Sequence, residues 1–146
     1  MRVPVGVLMA ALIGPLVAGC GIASAKGDAE LVAQSYFDRT RNHDYDAAMG
    51  LFSDSFFKQT ARDDWRLMLE KIDQKLGPVQ SYKLIGWHVF QGTRVGGISG
   101  TTVDLSYEAK HEKYPAQVLI VVNKPPGGRE YRIVSMNINS PGLLLE

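Results

Sequence analysis

The sequence predicts an α+β domain in which three helices precede a curved, four-stranded antiparallel sheet. Two observations carry this. Apolar residues recur at helical spacing as far as Leu76, where Gly77-Pro78 stops the pattern, and beyond Pro78 the period falls to alternation. Helices first and strands afterwards is the order of a sheet that carries its helices on one face.

The bulk numbers bound the answer. A chain of 146 residues, 45% hydrophobic and 21% charged, has room for one globular domain and a short targeting segment. It holds 16 Lys and Arg against 15 Asp and Glu. Removal of Arg2 with a leader balances the two signs, so the chain has no excess charge for a phosphate backbone, and nucleic acid is not an expected partner. A single cysteine, Cys20, excludes an intrachain disulfide.

Met1-Arg2 followed by the uncharged apolar run Val3 to Val17 has the organisation of a secretory signal. Pro4, Gly6, Gly14 and Pro15 interrupt the run, which is shorter than the roughly 20 residues a spanning helix needs. Residues 1–19 are therefore expected to be a leader, 20–27 a flexible tether of small residues, 28–140 the domain and 141–146 a tail. Ala23-Ser24-Ala25 offers ordinary signal peptidase a second cut, leaving a chain that starts at Lys26.

Helix 1 is expected from Ala29 to Arg41, with Asp28 as its N-cap and Val32, Tyr36 and Phe37 on its apolar side. Asn42-His43-Asp44 breaks it, and Tyr45, Ala48, Met49 and Phe52 restart the pattern in a shorter helix 2. Helix 3 begins after Thr60 as N-cap, carries Asp63 and Asp64 in its first turn and buries Trp65, Met68, Leu69, Ile72 and Leu76. Phe56 and Phe57 are expected to plug the junction between helices 2 and 3.

Four strand-like runs follow, at Val79 to Phe90, Thr101 to Lys110, Tyr114 to Val122 and Glu130 to Ile138. In the second, Val103, Leu105, Tyr107 and Ala109 share one face, opposite Asp104, Ser106 and Glu108. The third is apolar on both faces, which predicts a central strand covered twice. The first alternates only if a bulge at Gly86 puts Tyr82, Leu84, Trp87 and Val89 on the core side. His111-Glu112-Lys113 is expected to be a solvated turn. For the run Leu143-Leu144-Leu145, docking on the sheet, joining a partner and disorder are all open.

Val17-Ala18-Gly19-Cys20 resembles a bacterial lipobox, the pattern in which small residues precede a cysteine that is acylated with diacylglycerol and palmitate and becomes residue one. The resemblance implies a lipoprotein held at a membrane outside the cytoplasm through lipid on Cys20. Gly21 in place of aspartate implies the outer membrane facing the periplasm, if the host is Gram-negative.

Asp44-Tyr45-Asp46-Ala47-Ala48, Phe56-Phe57, Trp65, Leu76-Gly77 and the run Gly127 to Val134 resemble the nuclear-transport-factor-2-like superfamily, also called cystatin-like or SnoaL-like, which includes bacterial lipoproteins catalogued only as domains of unknown function. The resemblance covers about residues 29–140 and rests on packing and turn signatures, so it implies a fold before an activity. It implies a cavity between helices and sheet for a small apolar ligand, with Tyr36, Phe37, Trp65, Trp87 and Tyr107 as candidates for lining it. The preferred reading of the residues themselves is that these rings simply fill the core.

Enzymes of that superfamily use an acid or histidine inside the cone with an oxyanion partner, so the candidates for an isomerase or dehydratase are His88 and Tyr107; a bulge at Gly86 puts His88 on the exposed face, which is the preferred reading, and Tyr107 is preferred as a core residue. A homodimer through the open face of the sheet is the mode the superfamily implies, and Leu119 and Val121 motivate it. The leading expectation is a non-enzymatic module that binds a small ligand or an envelope protein. Metal is not expected, because His43, His88 and His111 are spread over three elements with no ligand spacing. No cofactor motif is present: Gly96-Gly97-Ile98-Ser99-Gly100 lacks the lysine and following helix of a phosphate loop.

Overall fold

Helical spacing in the first half of the chain produces four helical segments. In the computed structural model, which describes residues 18–145 with side chains from Gly19 onward, they are α1 (Ala18–Arg41), α2 (Tyr45–Met49), α3 (Asp54–Phe57) and α4 (Arg62–Leu76). The run Val3 to Val17, and with it the first two residues of Leu16 to Cys20, lies outside the described residues, as does Glu146.

α1 departs from expectation. It passes through Asp28, which caps nothing, and reaches back to Ala18, so the segment read as a flexible tether is helical. Ala25 is only 6% exposed and belongs to the core. The packing of that methyl outweighs the poor helix propensity of Gly21 and Gly27. The break after Arg41 is as expected. His43 sits at φ 56, and Asp44 caps α2 by accepting from Ala47 N at 3.2 Å.

Phe56 and Phe57 lie within the single turn of α3, a fourth N-terminal helix where three were predicted, and Ser53 caps it by accepting from Phe56 N. α4 starts at Arg62 with Ala61 in the cap position, so Thr60 is not the cap, although Asp63 and Asp64 occupy the first turn. Leu69, Ile72 and Leu76 are buried, whereas Met68, expected in the core, is 48% exposed. Gly77 at φ 77 ends α4, a conformation that glycine adopts without penalty.

The turn after the second strand closes the other side of that helix end. Lys113 donates its N–H to Leu76 O and its Nζ to Gln74 O, and His111 Nδ1 donates to Gly77 O at 2.7 Å. Glu112 and Lys113 stay exposed, as expected of a solvated turn, while these hydrogen bonds dock the turn on the end of α4. The free carbonyls at a helix C-terminus explain its position.

The strands β1 (Val79–Thr93), β2 (Ser99–His111), β3 (Pro115–Lys124) and β4 (Arg132–Asn139) pair antiparallel in the order β1-β2-β3-β4. The bulge in β1 is present between Leu84 and Gly86, with Ile85 as the extra residue. Tyr82, Leu84, Trp87 and Val89 then stand opposite Ala109, Tyr107, Leu105 and Val103. That row faces the helices, and Val103, Leu105, Tyr107 and Ala109 are all buried.

Among the described residues, helices cover one face only. Leu119 is 39% exposed, so β3 is not covered twice as its apolar sequence suggested. α1 runs antiparallel along β1: Lys26 lies over Trp87, Phe37 stacks on Tyr82 at 4.2 Å and Arg41 Nε donates to Val79 O at 3.0 Å. Phe52 centres a second aromatic cluster with Phe56 at 4.7 Å and Trp65 at 5.5 Å between ring centroids. The chain ends in α5 (Pro141–Leu144), capped by Ser140, with Gly142 buried against Tyr114 and Leu76. The tail is therefore docked at Gly142, while Leu144 is 82% exposed.

Candidate functional site

The helix-covered side of the sheet is where a ligand or substrate is expected, and its rings decide what fits. Phe37 packs on Tyr36, Tyr82 and Tyr107 with centroids 5.5, 4.2 and 5.2 Å away. These contacts leave a cavity of about 30 Å³ bordered by Tyr36, Thr40, Ile72 and Asp73. Ligand pockets run to roughly 300 Å³ and above, so this space suits water and not an organic substrate. Burial raises the pKa of the Tyr36 and Tyr107 hydroxyls well above the ordinary tyrosine range, which keeps both neutral.

The bulge in β1 fixes where His88 points. With Trp87 facing the helices, His88 stands on the other face, exposed and opposite Asp104. Tyr107 is buried on the helix side. The two candidates are therefore split across the sheet, His88 exposed as the bulge at Gly86 predicts, and no proton can pass between the two side chains.

No family model, curated protein or solved structure matches this chain. The site is therefore argued from its own geometry.

The five candidate pocket residues do not converge. Tyr36 and Phe37 border the small cavity, and Tyr107 packs on Phe37 from β2. Trp65 lines a separate groove between α4 and β4. Trp87, on the core row of β1, is 48% exposed beneath Lys26, whose Nζ lies 5.7 Å from its ring centroid. The rings are core and surface elements of different parts of the fold.

Tertiary structure assembles two polar groups that the sequence did not announce. Tyr45 of α2 donates to Asp73 Oδ2 of α4 at 3.0 Å, and His43 Nδ1 stands 2.8 Å from the same oxygen. Burial pushes the Tyr45 hydroxyl up to about 12, helped by its hydrogen bond to Asp73 and by that carboxylate's charge. On the uncovered face, Arg94 donates twice to Asp104, each bond 2.9 Å. About 30 residues separate Tyr45 from Asp73, and no local spacing marks the pair. Neither group borders a space large enough for a substrate, so both serve to tie elements together.

Cys20 is exposed in the first turns of α1. Among the described residues no His, Cys, Asp and Glu cluster could hold a metal, and no helix is long and apolar enough to cross a membrane.

Proposed function

We propose that this chain is an envelope lipoprotein anchored by lipid on Cys20, whose folded part is a non-enzymatic binding or interaction module on a nuclear-transport-factor-2-like frame. One observation carries the anchor: Val17-Ala18-Gly19-Cys20 directly follows an apolar run, and its cysteine is exposed. The burial of Ala25 favours this cut over the one after Ala25, which would remove a core side chain. Two acyl chains give stable anchoring where one is marginal. Five helical residues from Cys20 to Ala25 span about 7.5 Å, so the domain is held close to the bilayer.

The filled helix-covered side and the separation of His88 from Tyr107 support binding over turnover. A second reading is a homodimer through the uncovered face, favoured by Leu119 and Val121 lying side by side there. Sedimentation of the purified chain as a monomer removes it.

Intact mass of the chain from membranes tests the anchor. The expected product starts at an acylated Cys20 and takes up labelled palmitate, and the Cys20→Ser variant takes up none. A soluble product that starts at Lys26 overturns the proposal.

A further inference from the structure

β4 is an edge strand, and only its first part is paired on the outer side. Phe52 bridges Ile133 in parallel, Ser53 N donates to Ile133 O, and Ile133 N donates to Leu51 O, each bond 2.9 Å. Past Ile133, no other backbone hydrogen bond reaches this edge among the described residues. Val134 to Asn139 thus presents six residues, about 20 Å of strand, with free N–H and C=O groups along one side.

Edges of native sheets are blunted by charge, proline, bulges or cover. The other edge strand, β1, carries Lys83 and two register shifts. From Ile133 to Asn139 the chain has no charge and no proline, and its one register shift, at Val134 between Ile133 and Ser135, lies at the start of the free part, so that Ser135 to Asn139 runs unbroken. Such an edge is a template for pairing.

The free edge opens onto a groove of about 340 Å³ between β4 and α4. Trp65, Met68 and Ile72 form one wall, and Met136 and Ile138 the other. Lys71 stands on the rim and makes no ion pair among the described residues, while Lys75 holds the carbonyls of Leu143 and Leu145 at the groove's end. Trp65 Nε1 is buried and has no acceptor.

We propose that β4 accepts a fifth strand: an extended segment of a partner protein, apolar with interspersed acidic residues, pairs with Val134 to Asn139 and seats its apolar side chains against α4. This rests on reading the folded part as an interaction module, and names its partner. Strand addition joins main-chain hydrogen bonds to pockets for alternate side chains, and the free edge and the groove supply both. The segment's acids answer Lys71. An acyl chain would leave the edge groups unpaired. A second copy of this chain, pairing β4 with β4, would bring the lysines of two α4 helices to one junction.

The test is selection of random twelve-residue peptides on the intact purified chain. Enriched peptides are expected to alternate apolar residues and to carry Asp or Glu, and to protect alternate amides between Val134 and Asn139 from hydrogen exchange. Methylating one alternate set of peptide amide nitrogens is expected to weaken binding at least about tenfold, and methylating the other set to leave it, since a strand uses one edge. Lys71→Glu should weaken binding about fivefold, in line with the loss of one charge contact.

Enrichment without alternation, protection away from β4, or a dimer with β4 already protected overturns the proposal. Acylation of Cys20 is read separately by mass, so a chain that binds peptide but carries no lipid would refute the anchor alone.

Discussion

Tyr45 donates its hydroxyl to Asp73 Oδ2 at 3.0 Å, joining α2 to α4 across 28 residues of sequence. The bond is partly buried, and Tyr45→Phe is expected to lower stability by about 1 kcal/mol. Urea unfolding followed by tryptophan fluorescence measures it.

The same hydroxyl sets a pH dependence. Its pKa is raised from the ordinary 10.0 to about 12, so the folded state holds the proton more tightly than the unfolded chain. The stabilisation is therefore complete below pH 10 and is lost as pH rises towards 12. Tyr36 and Tyr107, raised by burial, act in the same direction. Alkaline unfolding of Tyr45→Phe should show a shallower loss over that window than the parent chain.

Ala25 decides whether residues 20–27 are a tether or part of the domain. Ala25→Glu buries a charge and is expected to cost about 2 kcal/mol or more. Ser24→Glu, on the exposed side, should change stability by less than about 0.5 kcal/mol. Equal effects in thermal unfolding would mean that this segment does not pack.

Gly100 and Gly96 both adopt positive φ, at 107 and 97 degrees, but only one is crowded. A Cβ on Gly100 would run into Lys124 O and Pro125 Cα, whereas one on Gly96 meets nothing within 4 Å. Gly96→Ala should cost about 1–2 kcal/mol from backbone conformation alone. Gly100→Ala is expected to exceed it clearly, because it also forces the start of β2 away from the end of β3. Chemical denaturation of the pair gives the comparison.

Phe52 lies 2% exposed among Tyr36, Phe56, Phe57 and Trp65. Phe52→Ala should destabilise by about 3–5 kcal/mol and shift Trp65 emission. Trp87→Ala, at a half-exposed ring, should cost far less.

Much of the architecture was legible because it depends on near neighbours. The break at His43-Asp44, the stop at Gly77-Pro78 and the single buried face of β2 follow from turn chemistry and from alternation within one strand. The bulge beside Gly86 was legible because Tyr82 and Trp87 conflict in phase. The start of α1 was not, because three glycines and Asp28 argue locally for a loop, and only the sheet beneath Ala25 outweighs them. Met68 and Thr60 failed similarly: helical spacing shows which residues share a side, not how far the partner surface extends. The separation of His88 from Tyr107 was legible with the bulge, because the same phase shift at Gly86 that turns Trp87 inward turns His88 outward.

By itself the sequence determined the order of elements, the antiparallel meander and the lipobox-like run ending at Cys20, all properties of residues within a few positions of one another. The tertiary structure decided that the rings of Phe37, Tyr82 and Tyr107 leave room for little more than water, that helices cover one face of the sheet, and that β4 keeps a free edge above an apolar groove. Those features arise from surfaces brought together across many residues. The filling depends on how closely α1 lies on β1 and β2, and the groove on the distance between α4 and β4, neither of which local periodicity encodes.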